Sequence, residues 1–473
     1  MYYDFSQRMR LMKTGTASKL EKIRAAMYSG YFSFGLFVLA GFFAVTQALE
    51  AGLVVFVVLI CAVLVLSDEF APVLLPGFLL MTFMTKSPGD FEKMVGLTYL
   101  AALFVPALLI HMILYRKKPS AGKALYGLLA VSVAVTFGGL GAISAREYFS
   151  AASLYRVIFL GFGMAAIYVF LSGAIRNDGR KKLEDFFSRL FFAVALFGCF
   201  MVLAHYAVNY RELIETGRAL PFRWRNAVAT MMMATMPFAF YLSLKKYAYL
   251  WTGILIYAGM LLTGSRGGII FGSVQFLLCM VYVIVYDQKN RKRNIITFSV
   301  IVLLILVFTG RIYTFLFKTP ERLVDESTSR RWKLVHAAVR NFKESPLFGK
   351  GLAYTGNASD IYKPKKFFLL LIESSPFQII SSFGILGIIA YSFSLFNMGQ
   401  VLLAKRSSFG IAVALGVLGL EMMSLVNTGI FSPFPFAFML TLFLVLAEKY
   451  DPAGTTLPSA DTQAVQQRQG GAR

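Results

Sequence analysis

About fourteen apolar runs, most of them near the twenty residues a helix needs to cross a bilayer, divide this chain from end to end. Charged residues make up only 15% of it and gather between the runs instead of alternating with them, which is the pattern of helical spans in lipid. With 57% hydrophobic residues, burial in a bilayer replaces burial in a large aqueous core. The expected fold is therefore all-α, a polytopic transmembrane bundle of about 14 helices.

Spans are expected near Tyr31 to Ala48, Gly52 to Ser67, Ala71 to Thr85, Val95 to Tyr115, Ala124 to Ile143, Leu154 to Ile175 and Phe186 to Val208. The series continues near Ala227 to Leu244, Tyr247 to Thr263, Gly267 to Tyr286, Ile295 to Thr309, Ser374 to Gln400, Phe409 to Val426 and Phe431 to Ala447. This divides the chain into an N-terminal segment (1–30), helices 1–11 (31–309), a long loop (310–373), helices 12–14 (374–450) and a polar tail (451–473) expected to be disordered. The first thirty residues are basic and lack a short apolar core with a cleavage site, so the first span is expected to direct insertion. Cys61, Cys199 and Cys279 each sit alone in an apolar run and are read as packing residues, with no metal-ligand spacing.

Lys and Arg number 47 against 24 Asp and Glu, a formal charge of +23. With Met1 in the cytoplasm, alternate loops carry Arg116 to Lys118 with Lys123, Arg176 with Arg180 to Lys182, Lys245 with Lys246, Lys289 to Arg293, and Lys405 with Arg406. The short loops of the other register hold little excess charge, so the positive-inside rule places both termini in the cytoplasm. Three segments then face outward: Asn209 to Asn226, the tight turn Gly264 to Gly268, and the loop Gly310 to Glu373, which is too long for an ordinary connection. Within that loop, Ser329 to Phe342 reads as an amphipathic helix with Trp332, Val335, Val339 and Phe342 on one stripe. Ser327 or Thr328 is its expected cap, and Pro346, Gly349 and Gly351 stop it and turn the chain back.

Outward arginines run against the positive-inside rule and call for an anionic partner: Arg211, Arg218, Arg223, Arg225, Arg266, Arg311, Arg322, Arg330, Arg331 and Arg340. A guanidinium fork matches phosphate oxygens and keeps its charge near a membrane, so a lipid-linked phosphate or diphosphate is the natural ligand. A loop arginine also fits a solvated basic rim on lipid headgroups. Arg266 stands apart, because it sits between two apolar spans in Leu261-Leu-Thr-Gly-Ser-Arg-Gly-Gly-Ile269, where glycines permit a sharp turn.

Thr263-Gly-Ser-Arg-Gly-Gly268 resembles the signature of the O-antigen ligase and O-antigen polymerase family. Arg223-Trp-Arg-Asn-Ala227 resembles the family's earlier arginine-bearing loop. Ser329-Arg-Arg-Trp-Lys-Leu-Val-His-Ala-Ala338 and Ser345-Pro-Leu-Phe-Gly-Lys-Gly351 are similar to its long extracytoplasmic loop. Glu373-Ser-Ser-Pro-Phe-Gln378 running into Ser382-Phe-Gly-Ile-Leu-Gly387 completes a resemblance that covers roughly Arg223 to Tyr391.

The resemblance implies a bacterial inner-membrane glycosyltransferase with no cofactor and no metal, acting on the extracytoplasmic face. It would move a glycan from a polyprenyl-diphosphate-linked donor to a glycan or lipid acceptor hydroxyl, with membrane lipid and not nucleic acid as surroundings. By the same resemblance Arg266 and one of Arg223 or Arg225 hold the diphosphate, with Arg330 or Arg331 as further ligands. The family commonly places a histidine base where the loop re-enters the membrane, and this chain has Glu373 there. Glu373 reads either as the base or as an interfacial glutamate paired with Lys365 or Lys366. His205, near the outer end of its span, is the alternative base, and Glu421 is an ionisable group deep in a span. The rival reading is a transporter or flippase of lipid-linked oligosaccharides, which would favour paired half-repeats and helices broken at the midplane.

Overall fold

The computed structural model describes residues 15–83, 98–115, 118–140, 156–175, 183–217, 220, 225–308, 310–311, 314, 321–352, 372–404 and 407–450. Among them every regular element is a helix. In chain order these are α1 (Gly15–Met27), α2 (Gly30–Thr46), α3 (Leu49–Leu66), α4 (Ala71–Phe83), α5 (Ala101–Tyr115), α6 (Ala124–Phe137), α7 (Met164–Ala174), α8 (Leu183–Val208) and α9 (Tyr210–Thr216). They continue as α10 (Arg225–Thr235), α11 (Pro237–Ser243), α12 (Ala248–Leu262), α13 (Arg266–Tyr286), α14 (Arg291–Val307), α15 (Glu321–Glu344), α16 (Ser375–Leu403), α17 (Ser408–Ser424) and α18 (Phe438–Lys449).

Among the described residues, five helices are long and apolar enough to cross a membrane: Leu49–Leu66, Arg156–Ala174, Leu183–Val208, Arg266–Tyr286 and Ser375–Leu403. A sixth crossing results if Lys19–Met27 and Gly30–Thr46, bent by 62°, count as one. Several other apolar runs fold as shorter or interrupted helices among the described residues, and others extend into residues outside that range. The run expected from Ala227 to Leu244, for example, is divided into α10 and α11, because Pro237 has no N–H to continue the ladder.

Aromatic packing forms the centre of the bundle. Phe191 of α8 lies 4.6 Å from Phe238 of α11 and 4.9 Å from Phe443 of α18, ring centre to ring centre. Phe409 of α17 closes the group against Phe238 at 6.1 Å. Gln275 of α13 is buried and donates from Nε2 to Met233 O at 2.8 Å and Leu415 O at 2.7 Å, tying α13 to α10 and α17. At one end of the bundle Lys245 pairs with Asp185 and lies 3.9 Å from Glu184. Also at that end, Glu448 accepts the Ala124 N–H at 2.8 Å, capping α6, and accepts the Tyr168 hydroxyl. The chain from Arg225 to Ser243 runs from the opposite end to this one, about 28 Å at 1.5 Å per residue.

The helix α16 is broken at Gly384, where φ is 60° and ψ is −143°. The chain after α15 fills the break. Lys350 N donates to Ser381 O at 2.8 Å and Gly351 N to Ser382 O at 2.9 Å, while Ile385 N and Leu386 N donate to Pro346 O and Leu347 O at 2.8 and 3.1 Å. Backbone groups that the break frees are thus bonded to a neighbouring segment, as a chain in lipid requires. Phe348 O accepts from Gly139 N at 2.8 Å, so the same segment also touches the end of α6. The two glycine motifs, one in 345–351 and one in 382–387, are the two halves of a single clamp.

One expectation for the loop helix needs correction. It begins at Glu321, about two turns before Ser329, so Ser327 and Thr328 lie inside it and do not cap it. Its packed face is Leu334, Ala337, Ala338 and Asn341, set against Ile372, Phe377 and Ser381. The stripe Trp332, Val335, Val339 and Phe342 is not the packed one: Trp332 is 60% exposed. Small residues and an asparagine allow closer approach to α16 than bulky side chains would, and Asn341 Nδ2 gains a 2.9 Å bond to Ser381 Oγ.

Candidate functional site

Three helices begin at the same place. α10 begins with Arg225, α13 with Arg266, and α16 begins two residues after Glu373. Ser265 Oγ donates to Asn226 Oδ1 at 2.8 Å, which joins the first two helix starts side chain to side chain. Unpaired N–H groups and the helix dipole give each start a partial positive charge, so their convergence favours an anion.

The turn that presents Arg266 divides its labour among its residues. Gly264 takes φ of 70°, a left-handed conformation that suits glycine. Ser265 caps α13 by accepting the Gly268 N–H at 3.1 Å. Gly267 and Gly268 lie within the helix and do not turn the chain. A Cβ on Gly267 would come 2.6 Å from Val426 Cγ2, and one on Gly268 2.8 Å from Ala229 Cβ, so both allow the start of α13 to press against its neighbours.

Arg225 interacts electrostatically with Arg266, Arg331 and Glu373. Burial holds the Arg225 guanidinium below the ordinary arginine range, Arg266 and Arg331 add to the effect, and Glu373 opposes it. Arg331, on the loop helix α15, donates from Nε to Glu373 Oε2 at 2.9 Å. Three guanidinium groups against one carboxylate leave a surplus of two positive charges among these four residues.

Behind this group, Tyr206 acts as a staple. Its hydroxyl accepts the Leu220 N–H at 3.0 Å and donates to Leu262 O at 2.9 Å. Leu220 precedes the Arg225 helix and Leu262 precedes the Arg266 turn, so a single buried phenol ties the two arginine-bearing segments together.

The structure therefore gathers Arg225, Arg266, Arg331 and Glu373 from among the residues singled out in the sequence. Arg223, Lys365 and Lys366 lie outside the described residues, and Arg330 lies within α15 with its side chain outside them. His205 contacts Asn209 Nδ2 through Nδ1 at 3.2 Å and the Tyr206 ring, on the last turn of α8. His336 lies on the exposed face of α15 beside Trp332, and His111 is buried with Nδ1 2.8 Å from Leu64 O. Glu421 stands on α17 within electrostatic reach of Tyr391. Asn226 and Tyr206 were not singled out. Asn226 lay in plain view within Arg223-Trp-Arg-Asn, whereas nothing local distinguishes Tyr206 from other aromatic residues in a span.

Fold and site together define an all-helical membrane protein with a cationic site where helix N-termini meet. Residues 248–392 match the O-antigen ligase family, so the resemblance carried by Thr263–Gly268 and the loop motifs holds over that stretch. Arg266, Arg331 and Glu373 fall within it, and Arg225 precedes it. A glycosyl-transfer enzyme acting on lipid-linked glycan is what this family implies in general. Neither the curated proteins nor the solved structures that were compared give a match.

Proposed function

We propose that the protein transfers a glycan from a polyprenyl-diphosphate-linked donor to an acceptor hydroxyl, as a polysaccharide polymerase or O-antigen ligase does. The observation that carries the reading is the gathering of Arg266, Arg331 and Glu373 about Arg225, where helix N-termini meet. A diphosphate ester carries about two negative charges at neutral pH, which matches the surplus of the four groups. The site then lies on the extracytoplasmic face of a bacterial inner membrane, in a bundle of about fourteen spans with both termini inside.

In this reading Arg266 and Arg225 hold the diphosphate, with Arg223, Arg330 and Arg331 as further ligands. The acceptor oxygen attacks the anomeric carbon, the bond from that carbon to the phosphate oxygen breaks, and the diphosphate leaves with the electron pair. Glu373 takes the hydroxyl proton, a step typically worth about 10²–10⁴-fold. Direct displacement inverts the anomeric centre. Fixed guanidinium groups and helix dipoles stabilise the charge that develops on the leaving group, in the place a metal ion takes elsewhere. The Arg331 bond to Glu373 supports an ordered sequence: a donor that draws Arg331 to its phosphates frees the carboxylate for the acceptor.

A broken spanning helix is a feature transporters share, and α16 is broken. The break lies at the level where α6 ends, however, and the residues after it, Ile385 to Leu403, cover about 28 Å, close to the full hydrocarbon thickness. That supports a rim position, not a midplane gate. The test uses purified protein in nanodiscs with lipid-linked oligosaccharide and a chelator. Lengthened or transferred glycan, lowered about 10²–10³-fold by Arg266→Ala, is the expected result. Movement of donor across a vesicle membrane without a new glycosidic bond would assign the protein to transport instead. Near-normal turnover by Glu373→Gln would remove that residue from the proton transfer.

A further inference from the structure

The loop helix α15 has two apolar faces, and only one of them is packed. Leu334, Ala337, Ala338 and Asn341 are turned to α16. At 100° per residue, Trp332, Val335, Val339 and Phe342 form a second stripe beside them, and it is at least partly exposed along its length. Next to that stripe on the far side come Lys333, His336, Arg340 and Lys343, all exposed. Arg331 lies on the near side, between the stripe and the packed face, where it reaches Glu373. An apolar stripe with cations on both sides is the pattern of a helix lying in a membrane interface.

A second observation agrees with a position of this helix end at the bilayer boundary. The chain after Glu344 is clamped to the Gly384 break, and from there Ile385 to Leu403 covers about one hydrocarbon thickness. Leu347, 59% exposed, and Phe348, 37% exposed, extend the apolar surface at that level.

We propose that α15 docks on the bilayer surface, with Trp332, Val335, Val339 and Phe342 immersed and the flanking cations among anionic phospholipid headgroups. A lipid surface fits better than a sugar, because two of the four side chains are aliphatic and offer a glycan neither a ring face nor a hydrogen bond. Docking fixes Arg331 at the depth of lipid phosphates. The inference concerns the membrane contact alone and stands whether or not the protein transfers glycans.

Fluorescence tests it directly, since Trp224, Trp251 and Trp332 are the tryptophans of the chain. Full-length Trp224→Phe/Trp251→Phe protein is placed in phosphatidylcholine vesicles with and without phosphatidylglycerol, using lipids brominated at graded acyl positions. Trp332 is expected to be quenched most by bromines nearest the headgroup, and more strongly with the anionic lipid. Val335→Glu in that background is expected to shift the emission to the red with an unchanged thermal transition. Emission that no brominated lipid quenches, while aqueous acrylamide quenches it like a free indole, overturns the proposal. Protection from acrylamide by soluble oligosaccharide in place of lipid would overturn it too, in favour of a glycan surface. Should the tryptophan replacements lower the folded yield, a nitroxide on Val339→Cys, with Cys61, Cys199 and Cys279 replaced, gives the same decision. Collisions with oxygen above those with a water-soluble nickel chelate support docking, and the reverse order refutes it.

Discussion

Replacing Gly384 with alanine should release the clamp between α16 and the chain after α15. A φ of 60° with ψ of −143° lies in a region open almost solely to glycine, and holding another residue there costs about 1–3 kcal/mol. The added Cβ would also stand 2.3 Å from Pro346 O, 2.8 Å from Leu347 C and 2.9 Å from Gly349 N. All three are backbone atoms, so no rotamer change can relieve the contact. The segment must lift, and lifting breaks the bonds made by Lys350 N, Gly351 N, Ile385 N and Leu386 N. At about 0.5–1.5 kcal/mol each, their loss amounts to roughly 2–6 kcal/mol of local stability. Hydrogen exchange in nanodiscs reads this amide by amide, and 2 kcal/mol corresponds to about 30-fold faster exchange. Gly399→Ala is the control, because a Cβ there meets nothing within 4 Å. If Gly384→Ala protein protects those four amides as well as the control does, the clamp is not held by this break and the reasoning fails.

Other outcomes follow from single contacts. Tyr206→Phe strips partners from Leu220 N and Leu262 O, and a loss of about 1–3 kcal/mol should appear as weaker donor binding, read from KM and from direct titration of the lipid-linked donor. Arg331→Lys cannot reproduce the Nε contact to Glu373, and turnover should fall about tenfold while the thermal midpoint holds. Gln275→Leu leaves Met233 O and Leu415 O without their donor, so the unfolding midpoint in detergent should drop by an amount equivalent to about 1–3 kcal/mol. Glu448→Ala removes the cap of α6 at the far end of the bundle, and should lower that midpoint while leaving donor affinity unchanged.

Much of the site could be read in the sequence, because its parts announce themselves locally. Arg266 stood out through the glycines and the two apolar runs around it, and Arg331 and Glu373 fell in recognisable motifs. Their gathering was implied by the family resemblance alone, since 225, 266, 331 and 373 come from four separate segments, and nothing in a linear pattern says which helix starts share a corner. The loop helix shows the same limit from another side. Its period gives a helix with an apolar stripe but does not say which face packs: Leu334, Ala337 and Ala338 are buried, whereas the bulkier stripe is not. Hydrophobic periodicity ranks side chains by their aversion to water, and in a membrane a lipid surface can satisfy that aversion as well as a protein core can.

The apolar runs were enough by themselves to establish a helical membrane protein, because a backbone in hydrocarbon must satisfy its own hydrogen bonds wherever its neighbours lie. That is a condition on each segment alone, and so a sequence can express it. Which helix starts converge, how the loop closes the break at Gly384, and how Tyr206 joins two arginine segments are conditions between segments distant in the chain. Only close packing in three dimensions decides those, since each depends on contacts of a few ångströms that no single segment specifies.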